Sequence, residues 1–263
     1  MVVRLGVDVS DVADWAARLR RTPQVAAVAF TERELAATAA DPRALAEVWA
    51  VKEAVLKAFG TGFDGIGWRG IEVAPTAGGA RTVRLAGGRP PPDFPRVLHG
   101  AVRELAGSVL AAVVAAPGLG LGRGPSPRLR AAVVAVPAGL PRRERGRAHS
   151  AAARLAGRRA WEDLCSGSGR PAGPVRWGRT EAGAPLLRTA EGRFVPVALA
   201  HGAGLAAALV ALPAVAPYRP GPSSPSSGKR NGPGDSGPGA GKPSLELTII
   251  AHDNLLKEVT VHA

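Results

Sequence analysis

Residues 2–9 form an apolar run broken only by Arg4, Gly6 and Asp8, which predicts a strand, and beyond Ser10 the residues Val12, Trp15, Ala16 and Leu19 recur at helical spacing. At 30–35 the order Phe-Thr-Glu-Arg-Glu-Leu predicts a helix start, with Thr31 as cap and Glu34 three residues on, the capping-box pattern. Asp41-Pro42 opens a longer helix that runs through Phe59 and ends at Gly60, with Leu45, Val48, Trp49, Val51, Val55, Leu56 and Phe59 as its apolar stripe. Strand-like runs at 71–73 and 82–85, a proline-rich loop at 90–95, a helix near 97–106 and an apolar strand at 108–116 follow.

A Gly/Pro/Arg linker at 118–129 separates this from a second patterned stretch. There the pattern predicts a strand at 131–136, a long helix at 144–164 interrupted at Gly157, and strands at 175–179 and 184–187. Residues 195–217 contain no Lys, Arg, Asp or Glu, a length able to span a bilayer. They are alanine-rich and carry Pro196, His201, Gly202, Gly204 and Pro213, so they read as a loop around His201 and a buried strand, not as a membrane helix. The two stretches repeat one helix-plus-strands layout at a period near 100 residues. The expected fold is therefore α+β, with two pseudo-repeated halves, each a small mainly antiparallel sheet packed with helices, and a flexible C-terminal tail. The expected organisation is a first half at 1–117, the linker, a second half at 130–216, a flexible linker at 217–244 and a strand-like segment at 245–263. The 217–244 stretch holds 7 Gly, 7 Pro and 6 Ser, a composition that cannot bury enough apolar surface to fold.

Composition narrows the class. The 263 residues are 46% hydrophobic and 21% charged, which excludes a wholly disordered chain. A single cysteine, Cys165, excludes a disulfide scaffold and a multi-cysteine metal centre and suits a reducing, cytoplasmic setting. The N-terminal residues meet an acid at Asp8 and lack the apolar core of a signal peptide. Basic charge is uneven: residues 1–117 carry a net +2 and residues 118–216 a net +10, nearly all from arginine. That surplus reads either as genomic bias or as a surface for phosphates or an acidic partner, since guanidinium pairs bidentately with phosphate. With 4% aromatic residues there is no interleaved stacking platform for nucleic acid.

Two features carry candidate chemistry. Asp8 stands near the end of an apolar strand, where a carboxylate is costly unless paired, although a helix cap for the following segment is an equally local explanation. Glu53 and Lys57 are four apart on one helix face. By itself that is an ordinary surface ion pair; together with Asp8, two carboxylates and an ammonium suit a hard cation and a diphosphate.

The blocks Gly6-Val7-Asp8-Val9, Phe30-Thr31-Glu32-Arg33-Glu34, Trp49…Lys52-Glu53-Ala54…Lys57-Ala58…Gly60-Thr61-Gly62 and Ile71-Glu72-Val73 resemble the 4′-phosphopantetheinyl transferase superfamily over residues 1–117. The resemblance implies Mg²⁺-dependent transfer of the phosphopantetheine arm of coenzyme A to a serine of an acidic carrier protein, with release of adenosine 3′,5′-bisphosphate. It implies Asp8 and Glu53 as metal ligands, Glu53 as the group that helps remove the serine proton, directly or through water, and Lys57 as the diphosphate contact. Two subfamilies are similar. The Gly60-Thr61-Gly62 ending resembles the small holo-acyl-carrier-protein-synthase type, which builds its site between subunits, and Trp49 resembles the larger surfactin-synthetase-activating type, which has two halves in one chain.

Residues 130–212 resemble the other half of the larger type through Arg154…Arg158, Gly183-Ala184-Pro185 and Val197-Ala198-Leu199-Ala200-His201-Gly202, in permuted order. By that resemblance His201, Arg154 and Arg158 are coenzyme A contacts, and the chain is a monomeric pseudodimer with its site between halves. The chain departs from the pattern where Ser-x-Ser-His-Ser is Ala-Leu-Ala-His-Gly, where Gly-Lys-Pro has lost its lysine to Ala184, and where Ser10 replaces a third acid. Those departures leave open a non-catalytic module that docks a carrier protein without modifying it. Nucleic acid and membrane partners are not expected.

Overall fold

The computed structural model describes residues 3–60, 66–75, 80–88, 94–95, 97–105, 107–115, 128–169, 171–181, 183–202 and 204–212, and the backbone of strands at 246–251 and 259–262. Of the expected linkers at 118–129 and 217–244, residues 118–127 and 217–244 lie outside the described residues, while Arg128 and Leu129 already belong to a strand. The first unit runs β1 (Arg4–Asp11), α1 (Val12–Arg21), α2 (Val25–Ala29), α3 (Glu32–Thr38), α4 (Pro42–Phe59), β2 (Ile71–Pro75), β3 (Ala80–Leu85), β4 (Val97–Leu105) and β5 (Ser108–Ala115). Its strands form one antiparallel sheet in the order β1-β5-β4-β3-β2. The second unit runs β6 (Arg128–Ala135), α5 (Arg142–Ser166), β7 (Val175–Arg179), β8 (Pro185–Thr189), β9 (Phe194–Gly202) and β10 (Leu205–Leu212). Its strands lie in the order β6-β10-β9-β8-β7, the same path as in the first sheet. Two further strands, β11 (Glu246–Ala251) and β12 (Val259–His262), extend the β6 edge; β11 runs parallel to β6.

The fold is α+β, and its layers follow from which faces are apolar. One face of β1, carrying Leu5, Val7 and Val9, packs with Leu110, Ala112 and Val114 of β5 against Leu129, Ala131 and Val133 of β6 and Ala207 and Leu209 of β10. The opposite face of the first sheet is covered by α4, through Leu45, Val51, Val55 and Phe59 against Val109, Ala111 and Val113. The opposite face of the second is covered by α5, through Ala156, Ala160, Trp161 and Leu164 against Ala132, Val134 and Ala208. Two sheets thus lie face to face with a helix outside each, and burial on both faces explains why β5 and β10 read as unbroken apolar runs.

Local chemistry accounts for the helix ends. Asp11, Thr31 and Asp41 each accept a backbone N–H three residues on, Thr31 completes a capping box with Glu34, and Gly60 closes α4 at φ +77°.

Three readings from the pattern are corrected. Residues 97–105 are a strand, not a helix: β4 is sandwiched between β5 and β3, with Leu98 and Val102 toward the helix layer and Ala101 and Leu105 toward the other sheet. Burial on both faces removes the alternation that marks a strand, and Gly107, at φ +80°, turns it back into β5. Gly157 does not interrupt α5, which is continuous from Arg142 to Ser166. It admits the Trp177 ring, since a Cβ there would sit 2.6 Å from Trp177 Cη2. Finally, His201 and Gly202 end β9 and are not part of a loop. Among the described residues no helix is long and apolar enough to cross a membrane.

Candidate active site

β1 alternates, so Gly6, Asp8 and Ser10 share the face turned to α4. At Gly6 the helix lies directly on the strand: a Cβ there would come within 1.7 Å of Ala54 O. That close approach brings Asp8 within reach of the next helical turn. Lys57 Nζ donates to Asp8 Oδ1 at 2.8 Å and to Val7 O at 3.0 Å, and Ser10 Oγ donates to Asp8 Oδ2 at 3.2 Å. Ser10 therefore orients the acid it follows.

Glu53, one helical turn before Lys57, is half-buried. Loss of water raises its carboxyl pKa above the usual glutamate value, the Asp8 charge raises it further, and Lys57 pulls it back in part. Asp8, Glu53 and Lys57 are thus one electrostatic cluster, two acids around one ammonium.

His201 reaches this cluster from the second sheet. The end of β9 abuts the end of β1, where a Cβ on Gly202 would sit 3.0 Å from Val9 O. Burial lowers the His201 pKa first, then His149 and Lys57, with Asp8 opposing. His201 is therefore neutral at pH 7 and offers one N–H donor. The ring of His149, on α5, stands 5.0 Å from that of His201 in an edge contact, and its Nδ1 is buried without a hydrogen-bond partner among the described residues. His149 was not foreseen from the sequence; its signal was a histidine on the apolar side of an arginine-rich helix.

Arg154 and Arg158 stand on the exposed side of α5, Arg154 donating to Ser150 Oγ at 2.9 Å. Five residues from His149, Arg154 is rotated by about 140° around the helix, so the structure does not gather these two arginines with His201. Ala184 immediately precedes β8, beside Gly183, which adopts φ +82°. Gly60 is described, whereas 61–65 lie outside the described residues.

Lys52, adjacent to Glu53, goes the other way. It is wholly buried and donates to Glu34 Oε2 at 2.7 Å, Ala29 O at 2.9 Å and Trp68 O at 2.9 Å. Glu34 also receives the backbone N–H groups of Thr31 and Val73. This pair ties α2, α3, α4 and β2 together behind the site. Burial pulls the Lys52 pKa below the ordinary lysine value, and Glu34 opposes that shift.

The raised Glu53 pKa makes a directional prediction. A carboxyl easier to protonate when folded lends stability at low pH that is lost as pH rises from the ordinary glutamate value through the raised one. Glu53→Gln is therefore expected to be more stable than the parent at pH 7 and to lose that advantage near pH 4. Urea unfolding across that range checks it, and an advantage independent of pH would contradict the assignment.

An acid on β1, and an acid and a lysine one helical turn apart on α4, thus meet near the line where the second sheet abuts the first. The family model of the 4′-phosphopantetheinyl transferase superfamily matches residues 4–114, from β1 through β5. The holo-[acyl-carrier-protein] synthase of Frankia alni is 43% identical over 86 residues, which cover 33% of this chain and 70% of that protein. That of Streptomyces coelicolor is 36% identical over 89 residues, covering 33% and 72%. Among solved structures, Helicobacter pylori holo-[acyl-carrier-protein] synthase in complex with coenzyme A aligns over 43% of this chain and 99% of that one, at 18% identity and a TM-score of 0.38. The chain belongs to the 4′-phosphopantetheinyl transferase superfamily. The second sheet lies beyond the matched residues.

Proposed function

We propose that this protein transfers the 4′-phosphopantetheine arm of coenzyme A to a serine hydroxyl of an apo carrier protein, with Mg²⁺, and releases adenosine 3′,5′-bisphosphate. The observation that carries this reading is the Asp8–Lys57 pair beside a half-buried Glu53, with His201 of the other sheet close enough to interact electrostatically with Lys57 and Asp8. In the reaction the serine oxygen bonds to the β-phosphorus, the bond from that phosphorus to the bridging oxygen breaks, and the serine proton leaves.

The donor set fits Mg²⁺. Asp8 and Glu53 are close enough for the Asp8 charge to hinder Glu53 ionisation, and two crowded carboxylates are hard oxygen ligands in need of positive charge. Bound there, Mg²⁺ would supply charge neutralisation at the diphosphate. The chain's own groups do the rest. Lys57, anchored by Val7 O, is placed to stabilise charge on the leaving phosphate. Glu53, with its raised pKa, is a better proton acceptor at neutral pH than an ordinary carboxylate, directly or through a water. The neutral His201 donates a hydrogen bond to coenzyme A phosphate. The second unit, 130–216, would serve as the coenzyme A and carrier half, its net +10 over 118–216 facing an anionic nucleotide and an acidic carrier. Arg154 and Arg158, solvent-facing, are assigned to that outer surface. One chain would then supply both halves of the site and act as a monomer.

A second reading is a carrier-docking module without turnover, favoured by Ala184 and Ala200 where the resemblance implies a lysine and a serine. Intact-protein mass spectrometry separates the two. With coenzyme A and Mg²⁺, an apo carrier is expected to gain the phosphopantetheine mass, and EDTA is expected to abolish the gain. No gain on any carrier, with coenzyme A still bound, would overturn the transferase reading in favour of the docking module.

A further inference from the structure

The β7–β8 hairpin carries an arrangement that the transfer reaction does not use. Arg176 of β7 and Arg188 of β8 are direct cross-strand partners, so two guanidinium groups leave neighbouring strands side by side. Like charges directly opposite one another destabilise an antiparallel pair. Other arginines of this unit are answered: Arg130 by Asp163 at 2.7 Å, Arg128 by the Ser168 hydroxyl at 2.9 Å, Arg179 by the Gly183 carbonyl at 2.7 Å. Among the described residues Arg176 and Arg188 form no ion pair.

Both arginines line a cavity of about 480 Å³, together with Pro174, Thr189, Ala190 and Gly192, and among the described residues no acid lines it. Arg188 is held in place there. Its guanidinium carbon lies 5.7 Å from the centre of the Phe194 ring, and Phe194 is left 65% exposed in that position. Its Nη2 passes over Gly192, at 3.7 Å from where a Cβ would stand. The acid of the adjoining turn, Glu191, is engaged by Thr189 and by its own backbone, with Arg193 beside it.

We propose that this cavity is a second anion site, binding a phosphate group between the Arg176 and Arg188 guanidiniums. Two planar, always-charged forks suit phosphate oxygens, and the anion offsets the repulsion that the bare pair carries. The site is separate from the Asp8 cluster. β9 leads from Phe194, beside Arg188, to His201 over seven residues, about 23 Å at the rise of a strand. One phosphate or diphosphate group cannot occupy both places. The inference does not depend on the transferase reading. The phosphate could be free or belong to a nucleotide.

The test uses the full chain labelled with ¹⁵N, titrated with inorganic phosphate while the amides of Thr189, Ala190 and Gly192 are followed by NMR, with sodium chloride at matched ionic strength as control. Saturable shifts under phosphate and not under chloride are expected, with apparent affinity at least about tenfold weaker in Arg176→Gln/Arg188→Gln. These are surface positions, so the remaining amide spectrum should be unchanged. Parallel titrations with pyrophosphate and adenosine 3′,5′-bisphosphate identify the source by which ligand saturates the same amides at the lowest concentration. Absence of saturable shifts with all three, equal shifts under chloride, or shifts undiminished in the double variant would overturn the proposal.

Discussion

Asp8→Ala is expected to lower phosphopantetheine transfer on the order of 10³-fold while leaving the protein folded. Asp8 sits on the strand face that α4 covers, in contact with Lys57 and Ser10, and contributes nothing to the apolar layer between the sheets. Its ion pair with Lys57 is partly solvent-exposed, so losing it should cost no more than about 1 kcal/mol of stability. Lys57 keeps its bond to Val7 O and stays in place. What disappears is one of the two negative charges proposed to hold the cation. Asp8→Asn, which keeps shape and hydrogen bonding but not charge, is expected to lose nearly as much activity. Transfer measured by carrier mass, with urea unfolding in parallel, checks both variants. Undiminished activity in Asp8→Ala would remove Asp8 from the metal site, and loss of folding would make its role structural.

The largest expected effect on stability lies one residue from the site. Lys52→Ala removes a fully buried ammonium and leaves the Glu34 carboxylate without its cation in a closed interior. Breaking a buried pair on one side costs about 3–5 kcal/mol, because the remaining charge is desolvated and unpaired. For a chain of this size that is a fall in melting temperature of roughly 6–20 °C. Glu34→Gln should also be destabilising, since it strands Lys52 and weakens the acceptors for Thr31 and Val73. The double variant Lys52→Met/Glu34→Gln is expected to recover part of the loss, because no charge is then left buried. Calorimetry on the three variants tests this. Equal stability of Lys52→Ala and the parent would show that the buried pair does not hold α2, α3, α4 and β2 together.

The two predictions concern neighbouring charges on one helix, and they differ in how far the sequence exposes their roles. Glu53 and Lys57 are i and i+4, so their common face follows from helix geometry alone. Lys52 is rotated by about 100° from Glu53, which says that the two point apart but not which enters the core. Glu34 likewise announces itself as a capping-box acid, while its bond to Lys52, eighteen residues away, has no local signature.

By itself, the sequence determined the local elements and their order. Alternation produced β1, the cap residues and apolar stripe produced α4 and its ends, and the spacing of Glu53 and Lys57 placed two reactive groups on one surface. It also marked the repeat of helix and strands that the matching strand paths of the two sheets display. Only the tertiary structure decided that β4 is a strand, that Gly157 holds a tryptophan ring within an unbroken helix, that Gly6 lets α4 descend onto Asp8, and that His201 joins a cluster 144 to 193 residues earlier in the chain. The reason is the range of the forces involved. Periodicity and capping act over a few residues, whereas the packing of two sheets is set by burial of apolar area contributed by strands far apart in sequence, and that packing fixes which polar side chains meet at its edge.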